Sequence, residues 1–467
     1  MVGGGAAGLG AVRAAAAAGA SVLLVAAGEI GGECTFTGCV PSKTLIGAAA
    51  RGDGFGEAMA AVRRSVRVIA AAETAEVLAR EGVTVLRGRA EFTAPLTLSV
   101  AGQVVRARRF VVATGSQPAV PPVPGLAQVA YLTSETIWGL ESVPARLAVL
   151  GGGAVGCELA QAFARLGSQV TIIEAAARLL PAADPAASQV ISGVLRAEGI
   201  GVHAGTAVAG VRPHDQAVVV TLASGGELTA DRLLVAAGRR PVTGDLGHEA
   251  AGVGLDERGY IRTDRHLATT ARGVYAAGDV TGRMPFTHAA FAMGRIAARN
   301  ALRRRAARAR FDPVPIPWVV FTDPEVAQVG LTEGQAARAH RGARVAFLPI
   351  GEVDRAVTAG RAEGFVKIVA GRRPVLGTAG GGKVLGATIV AARAGEMIHE
   401  PALAIRAGLF TGRLAQVVHA YPTWSLAIQQ AAAQFFGEFG GHTARPAEPD
   451  AEATGKSEQP EPVRNAR

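Results

Sequence analysis

The chain has 467 residues, 49% of them hydrophobic and 18% charged, which suits two or three buried cores and excludes wholesale disorder. Three cysteines exclude a disulfide-stapled scaffold, and the 61 glycines follow no collagen-like period. The formal charge of +10 says little about partners: only four of the 48 basic residues are lysines, so arginine is the general cation here and the charge is not read as a nucleic-acid signal.

In chain order, the first pattern is Gly3-x-Gly5-x-x-Gly8 opening an Ala-rich helix, followed by the apolar strand Ser21–Val25. Such glycines allow a tight turn, let a pyrophosphate approach the backbone and seat it at a helix N-terminus, whose dipole favours anions. The apolar stretch from Ala11 to Ala27 contains Arg13 and lacks a basic leader, so it reads as helix plus strand and not as a signal segment. No membrane span is expected, and the location expected is cytoplasmic.

Next comes Gly31-Gly32-Glu33-Cys34-Thr35-Phe36-Thr37-Gly38-Cys39-Val40-Pro41-Ser42-Lys43. Five residues of ideal helix would separate the two Cα atoms by about 8–9 Å, beyond the ~7 Å limit of a disulfide. Cys34 must therefore precede the helix proper if the two are to bridge. Lys43 lies four residues beyond Cys39, on the same helical face, where its charge favours a thiolate. Three readings stand at this point: a redox-active pair, two inert thiols, or half a metal site that lacks further ligands of CxxC or paired-His type.

Further along, Ala113-Thr114-Gly115 ends a strand and precedes the proline-rich 118–124 segment. Leu147–Leu150 then enters a second loop, Gly151-x-Gly153-x-x-Gly156, and its following strand ends in Glu174, placed to bond ribose hydroxyls. Cys157 falls in the helix after that loop and reads as packing. Strand endings recur at Leu233–Gly238 and at Val274–Asp279. The arginines from 303 to 310 follow a helical stretch and read as a solvated helix end, with a phosphate patch as the alternative.

Together these motifs, with Phe321-Thr322-Asp323-Pro324-Glu325, resemble the FAD-dependent pyridine nucleotide–disulfide oxidoreductases, the group holding dihydrolipoamide dehydrogenase, glutathione reductase and mercuric reductase. The resemblance implies two doubly wound Rossmann-like α/β domains and a C-terminal α+β dimerisation domain. Residues 1–140 and 270–315 would bind FAD, 141–269 would bind NAD (NADP being the lesser fit), 316–442 would dimerise, and 443–467 would be a disordered tail. It further implies that electrons pass from NAD(P)H through FAD to a Cys34–Cys39 disulfide, with Cys39 on the flavin side and Cys34 as interchange thiol. Lys43 would pair with Glu158. Asp279 would bind FAD with Gly3, Gly5, Gly8, Lys43, Ala90, Thr114, Gly115 and Thr287 around it, and Gly151, Gly153, Gly156, Glu174 and Gly238 would serve the nicotinamide nucleotide. The active site of each protomer would be completed by its partner in a homodimer, without resident metal or nucleic acid.

Four departures from the family pattern follow. Most of the expected first strand before Gly3 is missing. Ala26 stands where an acid should hold the FAD ribose, with Glu29 three residues late. Tyr421 stands where the C-terminal histidine base should be and Leu426 where its orienting glutamate should be, with His419 two residues away. The vicinal cysteines that end mercuric reductases are also absent. These departures leave a metal-ion or quinone reductase, or a flavin-poor dimer without catalysis, as alternatives to disulfide chemistry.

Overall fold

The computed structural model describes residues 1–450 except 374 and 376, together with all side chains in that range but that of Arg305. The first nucleotide-binding unit is built on parallel strands. Val22–Ala26 pairs with Val83–Arg87, and Phe110–Val112 pairs with Val274–Ala276. Val2 joins the two halves: it bridges Val25 on one side and Val112 on the other, its N–H reaching Val111 O and its carbonyl accepting from Ala113 N. Val2 thus stands between Val25 and Val112 where the first strand was expected. Helices Ala6–Ala16 and Thr287–Leu302 cover one face. They pack backbone to backbone, because a Cβ on Gly294 would lie 1.9 Å from Ala7 O.

The second unit is a five-stranded parallel sheet in the order 201–204, 169–174, 146–150, 232–235 and 131–133. Its outer strand is Tyr131–Thr133, paired with Leu233–Val235. Leu246, Ala251, Val253 and Ile261 are buried with Val2, Phe92 and Phe110 of the first unit. Ser116–Pro118 and Arg239–Pro241 form an antiparallel pair of their own.

The third unit is a six-stranded antiparallel sheet in the order 318–320, 325–330, 383–391, 365–371, 344–349 and 445–446. Every residue of its strand Phe365–Gly371 is buried. The last strand corrects the expectation of disorder from 443: Ala444 is buried, and Arg445 bonds Glu333 at 2.5 Å while its strand pairs with Arg344–Val345. Residues 451–467 of the expected tail lie outside the described residues. Among the described residues, no helix is long and apolar enough to cross a membrane.

Candidate active site

Both cysteines are positioned by glycine. Gly31 and Gly32 have φ of 109° and 65°, and the chain then makes one turn of helix, Gly32–Phe36, that carries Cys34. A second helix, Cys39–Ala50, starts afresh at the other cysteine. Between them Gly38 sits so tightly that an added Cβ would meet Cys34 Cα at 3.2 Å. The break folds the second helix back, so the straight-helix separation does not apply. Cys34 lies on a short turn of its own that precedes the helix Cys39–Ala50. Trp138 Nε1 holds the junction by donating to Thr37 O at 2.8 Å.

Thr287, the first residue of the helix Thr287–Leu302, joins the two sulfurs. Its hydroxyl donates to Cys34 Sγ at 3.1 Å and lies 3.4 Å from Cys39 Sγ. A hydrogen bond from Cys34 lowers the Cys39 thiol to about 6, with the Lys43 charge and Thr287 adding to the effect against the cost of burial. Cys34 is pushed up for the reciprocal reason, helped by burial. One proton and one negative charge are thus divided unequally, with the charge on Cys39 at a helix N-terminus.

The helix Cys39–Ala50 packs on Ala154–Arg165 through Leu45, Ala48 and the Cys157–Phe163 face. That packing sets Lys43 Nζ 2.7 Å from Glu158 Oε2 and 4.7 Å from the Phe321 ring centroid. Glu158 is 4% exposed, and its other oxygen accepts from Phe321 N at 2.8 Å. Cys157, next to it, is buried; its thiol donates to Gly152 O at 3.3 Å and is pushed up by burial, which leaves it inert.

A cleft of about 1040 Å³ runs past both sulfurs. Gly3, Gly5, Ala90, Thr114, Gly115, Asp279, Thr287, Lys43 and Glu158 all line it. Gly8 lies beneath, where a Cβ would be 1.9 Å from Gly3 O, whereas Gly115 faces open space. Thr114 Oγ1 is committed to Val242 O at 2.7 Å, and Asp279 Oδ2 accepts from Ser116 Oγ at 2.7 Å. In the second loop a Cβ on Gly156 would be 1.9 Å from Gly151 O, while Gly153 and Gly238 face open space. Glu174 accepts from Gly152 N and Ala176 N, both at 2.6 Å. Arg178, four residues on, is tied to Leu180 O, Pro181 O and Ser188 Oγ and turns its charge into its own loop.

Residues 1–294 match the family described as pyridine nucleotide-disulphide oxidoreductase, and residues 316–432 match its dimerisation domain. The chain belongs to this oxidoreductase family. It is 38% identical to a dihydrolipoyl dehydrogenase of Thermus scotoductus over 441 residues, 89% of this chain and 92% of that one. It is 37% identical to a mercuric reductase of Streptomyces lividans, over 93% and 95% of the two chains. Among solved structures it resembles the Cu(II) complex of the flavoprotein disulfide reductase RclA of Escherichia coli, with a TM-score of 0.85 at 30% identity over 92% and 98% of the chains. LpdA of Mycobacterium tuberculosis gives 0.84 at 30% identity over 93% and 98%.

The oxidoreductase uses FAD with NAD(P)H as electron donor, and its residues fit both. Each glycine loop leaves a backbone cradle that a side chain would fill, at the start of a helix of 11 or 12 residues. The strand Val22–Ala26 does not end in an acid: Ala26 is buried, and Glu29, farther along the cleft wall, lies 3.5 Å from Arg87.

Tyr421 is not brought to the cleft of its own chain. It is 72% exposed on the third unit, and its hydroxyl donates to Asp354 Oδ2 at 2.8 Å. That bond raises the phenol above its usual value. His419 is turned away from any substrate role: Nδ1 faces Val417 O at 3.1 Å and Nε2 faces Glu400 at 3.0 Å. Sequence reasoning missed Asp354 and the Glu33–Arg239 pair, which closes one wall of the cleft. The signal for the latter was a carboxylate directly before Cys34.

Proposed function

We propose that Cys34 and Cys39 are the redox pair of an NADH-dependent flavoprotein reductase whose first acceptors are small disulfides. The observation that carries this reading is the single Thr287 hydroxyl within hydrogen-bond reach of both sulfurs, beside the Lys43–Glu158 pair and in the same cleft as the flavin cradle. When bound, FAD supplies the means of passing two electrons from the nicotinamide to the cysteine pair. The chain's own residues do the rest. The hydrogen bond from Cys34 and the Lys43 charge lower the Cys39 thiol to about 6, which favours its thiolate at pH 7. Cys34 retains its proton, and attack on an acceptor requires that proton to leave.

Glu174 at the end of its strand, with Arg178 bound into its own loop, favours NADH over NADPH, since no free guanidinium stands ready for a 2′-phosphate. The dimerisation domain makes this a homodimer. We infer that Tyr421 of the partner subunit reaches the cysteine site in place of a histidine base, where its phenol donates a hydrogen bond only on giving up its bond to Asp354. The crossings near 116–131 and 239–242 support domain limits close to those residues, with the third unit from about 316.

A second reading, reduction of a soft metal ion or a quinone, is favoured by Tyr421 itself, because a phenol held above its usual range cannot take up the Cys34 proton at neutral pH. An anaerobic NADH titration separates the readings. Broad long-wavelength absorbance after two electrons, lost in Cys39→Ser, supports the coupled cysteine pair. Simple bleaching, identical in Cys39→Ser, overturns it and leaves quinone or oxygen reduction.

A further inference from the structure

Glu33 stands in the wall of the flavin cleft, directly before Cys34. Its position is fixed by backbone: Gly31 bridges Gly5, and a Cβ on Gly32 would meet Gly5 Cα at 2.8 Å. Gly5 caps the helix Ala6–Ala16, so the carboxylate is anchored beside the seat that the loop offers a diphosphate. A free carboxylate there opposes an anion. The field is already acidic, since Glu135 and Asp279 act on Glu33, and burial holds its carboxyl above the usual range.

One cation answers this cluster. Arg239 forms a two-point ion pair with Glu33, with Nη1 to Oε1 at 2.7 Å and Nη2 to Oε2. Its Nε donates to Ser116 Oγ at 2.8 Å, its Nη2 donates to Ser116 O at 3.0 Å, and Ser116 passes its own proton to Asp279. The guanidinium is three-quarters buried and is held on the crossover strand Arg239–Pro241 by four donor contacts and backbone pairing. It is therefore pre-positioned, and its charge acts with little reorganisation.

We propose that Arg239 and Glu33 form a charge-compensating pair that sets how tightly this oxidoreductase holds the FAD diphosphate. Arg239 cancels Glu33 so that the glycine cradle presents no net repulsion. The inference rests on the reading of this cleft as the FAD site.

The test is a binding cycle on the full-length dimer stripped of flavin, read by quenching of FAD fluorescence and independent of turnover. Arg239→Gln should weaken FAD binding about tenfold or more, as expected when one partner of a desolvated charge pair is removed. Glu33→Gln should bind FAD as tightly as the parent or more tightly. The double variant should recover to within about threefold of the parent, because the repelling carboxylate has gone with its partner. Unchanged binding in Arg239→Gln overturns the proposal. So does a double variant as weak as Arg239→Gln, or a Glu33→Gln loss equal to that of Arg239→Gln, either of which makes the pair a structural tie. The Glu33→Gln arm decides if Arg239→Gln alone fails to fold. A parent protein that binds no FAD overturns the cofactor reading as well, a result distinct from all of these.

Discussion

Replacing Lys43 by Gln removes the cation paired with Glu158 and the fixed charge nearest Cys39 on its own helix. Residues i and i+4 place their Cβ atoms about 5–6 Å apart. At an effective dielectric of about 20 a charge pair at that separation is worth about 3 kcal/mol, reduced to roughly 1.4 because a third of the Lys43 side chain is exposed and Glu158 already offsets part of its charge. That is about one pKa unit, so the Cys39 midpoint should rise from about 6 to about 7. The sign follows from the charge: losing a cation disfavours the thiolate, and the uncompensated Glu158 pushes the same way. At pH 7 the thiolate fraction should fall from about 90% to about half. Ultraviolet thiolate absorbance of the reduced protein, taken as the difference from Cys39→Ser across pH 5–9, measures this directly. Lys43→Gln with Glu158→Gln should move the midpoint back toward that of the parent. A midpoint unmoved by Lys43→Gln would refute the electrostatic account and leave the Cys34 hydrogen bond as sole cause.

On the proposed ribose-binding role of Glu174, Glu174→Ala should raise the KM for NADH about tenfold with kcat little changed, since uniform binding is lost; steady-state kinetics check it, and an unchanged KM removes Glu174 from recognition. Asp354→Asn should lower the ionisation midpoint of Tyr421 toward the ordinary phenol value, read by phenolate absorbance against Tyr421→Phe; a midpoint that stays high contradicts the hydrogen bond. Lys367→Met should destabilise the fold by about 3–5 kcal/mol, because Asp184, 2.9 Å from the ammonium, would be left buried without its cation while Glu333 keeps Arg445; an unchanged urea midpoint would exclude this.

What was legible in the sequence is local. The two glycine loops, the cysteine spacing and Glu174 each lie within one short motif, where backbone geometry dictates residue type. Lys43 and Glu158 are far apart in the chain, and only the family resemblance joined them; the packing of one helix on another is what brings them together. Arg239 and Glu33 are 206 residues apart, and no periodicity couples them. The extended segments Ser116–Pro118 and Arg239–Pro241 look like linkers in the sequence, and only their pairing in the fold shows otherwise. Residues 443–450 looked disordered because their composition is polar and proline-containing; an edge strand held by Arg445 and one buried alanine needs no apolar run.

The helix Ala154–Arg165 has consequences for how the nicotinamide arrives and leaves. Glu158 binds Phe321 N, Gln161 exchanges two hydrogen bonds with the backbone of Asp323, and Arg165 reaches the Asp323 carboxylate at 2.9 Å. Successive turns are thus bolted to the third unit, while Glu158 also grips Lys43 of the first. A hinge that swung the second unit open as a whole would have to break all of these at once. Coenzyme exchange is therefore a matter of small parts at the mouth, such as the exposed Val155 on the same helix, which also lines the cleft. Substitutions that speed or slow product release belong at that gate, while those in the bolted turns would loosen the whole molecule.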